Sequence, residues 1–375
     1  MVLAKTILPT HLSKLFYFAT LAGLILALSS CDDDDESNIP ASDFDRTAML
    51  QSLAEGLIVP NFEELDGSLT TLSNNATSFI ENTNEENLIS LREAWVQAVV
   101  DHQHCSAFGF GPGDLTLGDY ARVLGAYPAD TEQIEVNINN PNFDLPNSFD
   151  TDVRGFYTIE YLIYGNGSMT DQEVIASFDE NRKNYLSLIL SELTSTISSV
   201  VSEWKNGYLQ EFLSSDGTSL GSSTQLVFNG FVKDYENIKN FKLELPGGLI
   251  AGEIPAPNLV EAFYSGISTQ LIRENWENTK NIYFGRTREG SEITGWDSYL
   301  NDVVGGSALV ASTIDSIAGI DSDMMQLPGG RLSENIEDPS IEKLVNSLQN
   351  NTANFKSSIT SLLGVEVSFN SGDGD

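Results

Sequence analysis

Leu91-Arg92-Glu93-Ala94-Trp95 recurs, with conservative changes, as Ile272-Arg273-Glu274-Asn275-Trp276, and the reading of that pair decides the fold. Tryptophan is scarce, with four in 375 residues, so a Trp-centred echo at an offset of 181 residues is poorly explained by chance. Each pentapeptide lies in a stretch of helical spacing and runs towards glycine, at Phe108-Gly109-Phe110-Gly111-Pro112 and at Ile282-Tyr283-Phe284-Gly285. The simplest physical reading is a duplicated helical unit whose halves pack against each other. A pseudo-symmetric pair leaves a cleft between its halves, a common place for a ligand.

Working outward, apolar residues recur every three or four positions in several segments. Phe62, Leu65, Leu69, Leu72, Ala76 and Phe79 form one stripe, and Leu88, Leu91, Trp95, Val99 and His102 form a second. Leu186, Ile189, Leu193, Ile197, Val200 and Trp204 continue the pattern, as do Ile341, Leu344, Leu348, Phe355, Ile359 and Leu362. This spacing puts one apolar face along each helix, as in antiparallel bundles. Strand-like alternation is confined mainly to Val365-Glu366-Val367-Ser368-Phe369, so the chain reads as all-α, a duplicated helical bundle. Pro128, Pro141 and Pro146 mark residues 116–149 as a long connection, and Pro246 to Pro257 as a further break. The Ser/Gly-rich residues 214–223 read as the join between a first half, 43–213, and a second, 214–370, with 371–375 as a disordered tail.

The N-terminus has a different character. Lys5 and Lys14 precede fourteen apolar-rich positions, Leu15 to Leu28, which end in Leu28-Ser29-Ser30-Cys31. A basic start, a short apolar core and small residues at the cut describe a secretory signal over 1–30, and the core is short for a membrane span. The terminal Cys resembles a bacterial lipobox, which implies cleavage before Cys31 and acylation of it; the alternative is an ordinary signal with an incidental Cys. More than one acyl chain gives stable membrane anchoring. The acidic run Asp32-Asp33-Asp34-Asp35-Glu36 begins a solvated tether, 31–42, and resembles the surface-export signal of Bacteroidetes lipoproteins. Outer membrane, facing outward, is the expected location, with the periplasmic face as the alternative.

Without the signal, 17 basic residues face 54 acidic ones, a formal charge of −37. That repels phosphate backbones and sets nucleic acid aside as a partner. With Cys31 acylated, Cys105 is the one remaining thiol, so packing rather than an internal disulfide holds the fold.

Six short stretches, in this order and spacing, resemble the imelysin-like family over most of the mature chain. They are Ile58-Val59-Pro60; the Trp95 helix running into Phe108–Pro112; Arg154-Gly155-Phe156-Tyr157-Thr158-Ile159-Glu160-Tyr161-Leu162; Leu245-Pro246-Gly247; Asn281-Ile282-Tyr283-Phe284-Gly285; and Leu363-Gly364-Val365. The resemblance implies two related helical bundles with a site between them, a role in bacterial iron acquisition beside iron-transport partner proteins, and an older peptidase label. The family hallmark is Gly-x-His-x-x-Glu. Gly155 and Glu160 match it, but Tyr157 stands at the His position, and Ser106 stands where many members carry an acid. Both departures remove metal-binding groups. This member either binds something else or keeps a degenerate site as a surface interaction protein.

Tyr157 and Glu160 are three residues apart and share a helix face. An ordinary phenol titrates near pH ~10, yet a hard trivalent cation can displace its proton, so phenolate plus carboxylate would suit ferric iron. The alternative is a Tyr157 packed between helices and hydrogen-bonded to Glu160. Arg154, one turn earlier, is a candidate for neutralising Glu160, for binding an anionic ligand, or for a surface salt bridge. His102, His104 and Cys105 form the one His/Cys cluster of the mature chain, but helix geometry turns the two His apart and His102 lies on an apolar stripe. No His-Glu-x-x-His or phosphate-binding glycine loop occurs, and two histidines cannot build the usual zinc-peptidase site. The expectation is a lipid-anchored, non-catalytic binding component of iron uptake, taking iron or an iron chelate. A metallopeptidase is the alternative.

Overall fold

The computed structural model describes residues 43–368 apart from 116, 117, 120–123, 125, 141, 142, 144 and 146–149. The signal segment, Cys31, the tether 31–42 and the tail 371–375 lie outside the described residues. Helix α1 (Arg46–Leu53) passes through a π-helical turn, Ala54–Ile58, into α2 (Val59–Glu81), and α3 (Glu85–Gln103) returns alongside. Asn84 caps α3 by accepting from the Asn87 amide at 2.9 Å, which fixes the reversal between the two helices. After α4 (Thr131–Ile138) come α5 (Gly155–Tyr164), α6 (Asp171–Ser177) and α7 (Glu180–Glu203), the last continuing through Trp204–Tyr208 into α8 (Leu209–Ser214). Thr170 and Glu173 form a reciprocal capping box at the start of α6. Each predicted stripe is the buried face of its helix: α2 packs between α3 and α7, and α5 lies across α3 and α7.

The remainder is α9 (Ser223–Asn237), which runs through the π-helical segment Ile238–Glu244 into α10 (Leu245–Gly247), then α11 (Ser268–Phe284), α12 (Trp296–Asn301), α13 (Gly306–Met324) and α14 (Pro339–Thr352). A π turn at Ala353–Ser358 leads into α15 (Ile359–Leu363). Trp95, Trp204, Trp276 and Trp296 are all buried, so the aromatic mass sits in the core. The fold is all-α; among the described residues, extended pairing is limited to Asp114–Leu115 against Gly118–Asp119 and one bridge between Arg286 and Glu292.

Three local features add to the sequence pattern. The described part of Val365–Phe369 is extended but joins no ladder. Asn229 clamps it instead, donating to the Glu366 carbonyl at 2.8 Å and accepting from the Ser368 amide at 2.9 Å. The connection 116–149 contains a helix, α4, capped by Asp130, whose carboxylate accepts from the Gln133 amide at 2.9 Å. Finally, α1 packs on residues of the second stretch, 214–370. Arg46 Nε donates to the Asp216 carbonyl at 2.8 Å, and Ser52 accepts from the Thr294 amide at 3.1 Å. Phe44, just before α1, stacks on Tyr299 at 4.5 Å.

Candidate functional site

Helix α5 carries the hallmark residues, and its backbone explains the first of them. Gly155 sits at φ 75°, a left-handed conformation that costs other residues a Cβ clash. The helix is fastened to α3 at two points. Trp95 Nε1 donates to the Phe156 carbonyl at 2.9 Å, and Arg92 Nε donates to the Ile163 carbonyl at 2.9 Å. Arg154 departs from expectation. Its guanidinium is buried, pairs with Glu192 at 2.7 Å and donates to the Leu145 carbonyl at 2.6 Å. It is therefore a buried anchor between α5 and α7, neither a surface salt bridge nor the partner of Glu160.

Tyr157 and Glu160 are both buried, and both face one segment, residues 260–267, between the turn Pro257–Leu259 and α11. They meet different groups on it. The Tyr157 hydroxyl donates to Glu261 Oε1, while Glu160 Oε1 accepts from the Ser265 amide and hydroxyl, each at 2.7 Å. Tyr157 therefore pairs with Glu261 and not with Glu160. The segment is held in a tight bend. Ala262 sits at φ 51°, unusual for a residue with a Cβ, and its carbonyl accepts from the Gly266 amide at 2.9 Å. The Ser268 hydroxyl ties down the Glu261 carbonyl.

The electrostatics follow from burial. Desolvation raises the Glu160 carboxyl to about 7, against the opposing pull of the Ser265 hydrogen bonds. Desolvation and then the Glu261 charge push the Tyr157 phenol well above its ordinary value, and Tyr127, stacked edge-on at 5.0 Å, is shifted in the same direction for the same reasons. The phenolate that a ferric ligand requires is thus opposed by both its surroundings and its partner.

Glu261 is the hub of the centre. Its Oε1 also accepts from Gln103 Nε2 at 3.1 Å, and its Oε2 lies 3.0 Å from Lys242 Nζ, which donates in addition to Gln103 Oε1. Lys242 and Glu261 are each about 2% exposed. Beside this closed network lies a cleft of about 450 Å³, lined from one side by His102, Gln103, Ser106, Tyr127 and Tyr157. From the other side it is lined by Asp234, Asn237, Phe241, Lys242, Leu245, Leu259 and Glu261. Tyr127 and Tyr157 also form the wall of an adjoining cavity of about 230 Å³ that reaches Glu160 and Tyr264.

The His/Cys cluster is dispersed. His102 stacks on Phe156 at 5.3 Å and faces the cleft, and burial followed by the Lys242 charge lowers it to about 3, so it is neutral at pH 7. His104 turns away to Glu274 at 3.0 Å, and Cys105 is a buried thiol raised well above its ordinary value by burial. Ser106 donates to the Gln103 carbonyl at 2.9 Å and accepts from Asn275 at 3.1 Å. The second pentapeptide thus touches the residues just after α3 through both Glu274 and Asn275. Among the described residues, no group of three or more His, Cys, Asp or Glu side chains is placed to hold a metal ion.

Sequence reasoning reached α5 but missed Gln103, Lys242 and Glu261. A signal for Lys242 was present. Phe228, Phe231, Tyr235 and Ile238 make a buried stripe whose continuation falls on Lys239 and Lys242, and lysine on an apolar stripe needs a buried partner. Glu261 carried no such signal, because its segment is neither helix nor strand.

Comparison with known proteins agrees with this architecture. Iron-regulated protein A of Synechococcus elongatus is 22% identical over 251 residues, 64% of this chain, and the chain spans 65% of that relative's length. A solved structure from Parabacteroides distasonis ATCC 8503, described as an iron-regulated protein A precursor, is similar with a TM-score of 0.71 at 19% identity, covering 87% of this chain and 99% of that one. An imelysin-like protein from Psychrobacter arcticum 273-4 has a TM-score of 0.69 at 17% identity, covering 88% and 99%. The family model described as imelysin matches residues 58–359, most of the chain, and the protein belongs to the imelysin family.

Proposed function

We propose that this chain is a lipid-anchored outer-membrane protein acting as a non-catalytic binding component of bacterial iron acquisition. The observation that carries the reading is the 450 Å³ cleft, in which α5 and the segment 260–267 converge on the Tyr157–Glu261 centre with apolar walls beside it. Pockets of this size, mostly apolar with a few convergent polar groups, are typical of small-molecule sites. The iron-regulated name of the relative supports iron as the cargo, and the pentapeptide echo supports a duplicated origin for the two bundles. Leu28 to Cys31 and the acidic tether support the anchor and the outward-facing location. Against catalysis stand the neutral, stacked His102, the paired His104 and the lack of a nucleophile–base pair in the cleft among the described residues.

The test is radioactive-iron accumulation under iron limitation in a strain lacking the protein. Wild type should restore accumulation, and a cleft-filling Leu259→Trp variant that is still anchored should not. Equal accumulation in all strains would remove iron from the reading. Purified protein that degrades unfolded casein in a zinc-dependent way would replace binding by catalysis.

A further inference from the structure

We infer that Lys242 is the built-in cation of this centre, closing it to bare metal ions and leaving the cleft to an organic ligand that presents acceptor oxygens. The inference rests on the cleft being the binding site proposed above. Both carboxylate oxygens of Glu261 already face donors or a charge. Glu261 Oε1 takes protons from Tyr157 and Gln103, Glu261 Oε2 faces the Lys242 ammonium at 3.0 Å, and Gln103 Oε1 accepts from that same ammonium. A metal ion seeking the Glu261 carboxylate therefore meets a fixed positive charge where it would have to sit. Because both members of the pair are buried, water screens that repulsion poorly. Two further potential ligands lie on the cleft wall: His102 feels the same charge, and Asp234 accepts from Asn275 at 2.6 Å.

Local structure explains how a lysine comes to be there. Lys242 lies in the π-helical segment Ile238–Glu244, whose wider turns bring both Lys239 and Lys242 into the interior. Lys239 is held by Gln349, away from the cleft lining, and Lys242 is directed to Glu261. An ammonium has three N–H donors. Gln103 takes one, Glu261 Oε2 is ion-paired at 3.0 Å, and Lys242 lines the cleft, so an N–H remains for a ligand. The Tyr127 hydroxyl, buried without a partner among the described residues on the same wall, is a second donor. Phe241, Leu245 and Leu259 supply the apolar surface opposite. This set fits an oxygen-bearing organic molecule, free or as the organic shell of a ferric chelate.

The experiment is equilibrium dialysis, with metal analysis, of the folded mature protein against zinc and against ferric iron buffered by nitrilotriacetate. Wild type and Lys242→Arg should retain no stoichiometric metal. Lys242→Met, which unmasks Glu261, should gain one site at least roughly tenfold tighter than wild type, and Lys242→Met/Glu261→Gln should lose it again. The double variant removes both buried charges together, so it remains a folded reference if the single one is unstable. Lys242→Gln, which keeps a hydrogen-bonding head without the charge, then takes the place of the Met variant. One equivalent of metal on wild type, with a visible ferric band lost in Tyr157→Phe, would overturn the inference. So would charge-removing variants that fold and gain nothing. Metal gained by Lys242→Met in a protein whose loss leaves iron accumulation unchanged would keep the inference and discard the iron reading.

Discussion

Trp95 and Trp276 are equally buried and occupy the same place in the two pentapeptides, yet they hold different things. Trp95 donates to a backbone carbonyl, Phe156, and Arg92 of the same pentapeptide grips Ile163 and pairs with Asp171 at 2.7 Å. Both therefore fasten the first pentapeptide to the helix that presents Tyr157 and Glu160. Trp276 donates instead to a carboxylate, Asp321 at 2.7 Å, which Lys280 also reaches, and Arg273 makes one longer contact with the Met324 carbonyl at 3.3 Å. Those contacts fasten the second pentapeptide to α13, away from the cleft lining. The two pentapeptides share a packing role, but the first holds the helix that presents Tyr157 and Glu160, while the second reaches the cleft wall through Asn275, which donates to Ser106 and Asp234.

The largest expected effect tests the shared part of that comparison. Trp95→Ala and Trp276→Ala should each cost about 3–5 kcal/mol in denaturant unfolding, as large cavities in a packed core do. Hydrogen exchange should then separate them, with amides of α5 deprotected in Trp95→Ala and those of α13 in Trp276→Ala. Equal deprotection of α5 in both would break the comparison.

Next in size is a pH effect confined to the site side. Glu160 is raised from 4.5 to about 7 in the folded protein, so folding favours its protonated form. Its contribution is fully present below about pH 4.5 and is lost as pH rises towards 7, a change on the order of 3 kcal/mol. Glu160→Gln keeps an oxygen for Ser265 and cannot ionise. The stability difference between wild type and this variant, measured in urea from pH 4.5 to 8, should shift in the variant's favour as pH rises. A flat difference would mean that the carboxylate is not desolvated.

The smallest effect sharpens the contrast between the arginines. Arg92→Gln should cost about 1 kcal/mol, because the ion pair, a carbonyl bond and a stack over Tyr164 go together. Arg273→Gln should stay within about 0.5 kcal/mol. A larger loss at Arg273 would mean that this side chain matters more than its one longer bond suggests.

Locality decides how much of the molecule is legible in its sequence. Apolar periodicity identified the helices that fill the bundles, since a stripe at helical spacing must be buried whatever the tertiary arrangement. The hallmark located Tyr157 and Glu160, but not their partners. Glu261 meets Tyr157 from 104 residues away through a bend centred on Ala262, and no short-range pattern encodes that meeting. Arg154 was misread for the same reason: its environment is set by Leu145 and by Glu192 on another helix. The strand-like alternation at Val365 makes no strand, because alternation alone does not supply a neighbour with free edge groups.

The π-helical segments carry an evolutionary consequence. Three of them interrupt long helices among the described residues, at Ala54–Ile58, Ile238–Glu244 and Ala353–Ser358. A π turn holds an extra residue relative to α register, so a single-codon deletion inside 238–244 is taken up by a return to α geometry, and the helix on either side keeps its packing. The side chains inside the segment, Lys239 and Lys242 among them, are the ones such a deletion re-aims. One indel, rather than a series of point substitutions, is enough to alter what this segment turns inward.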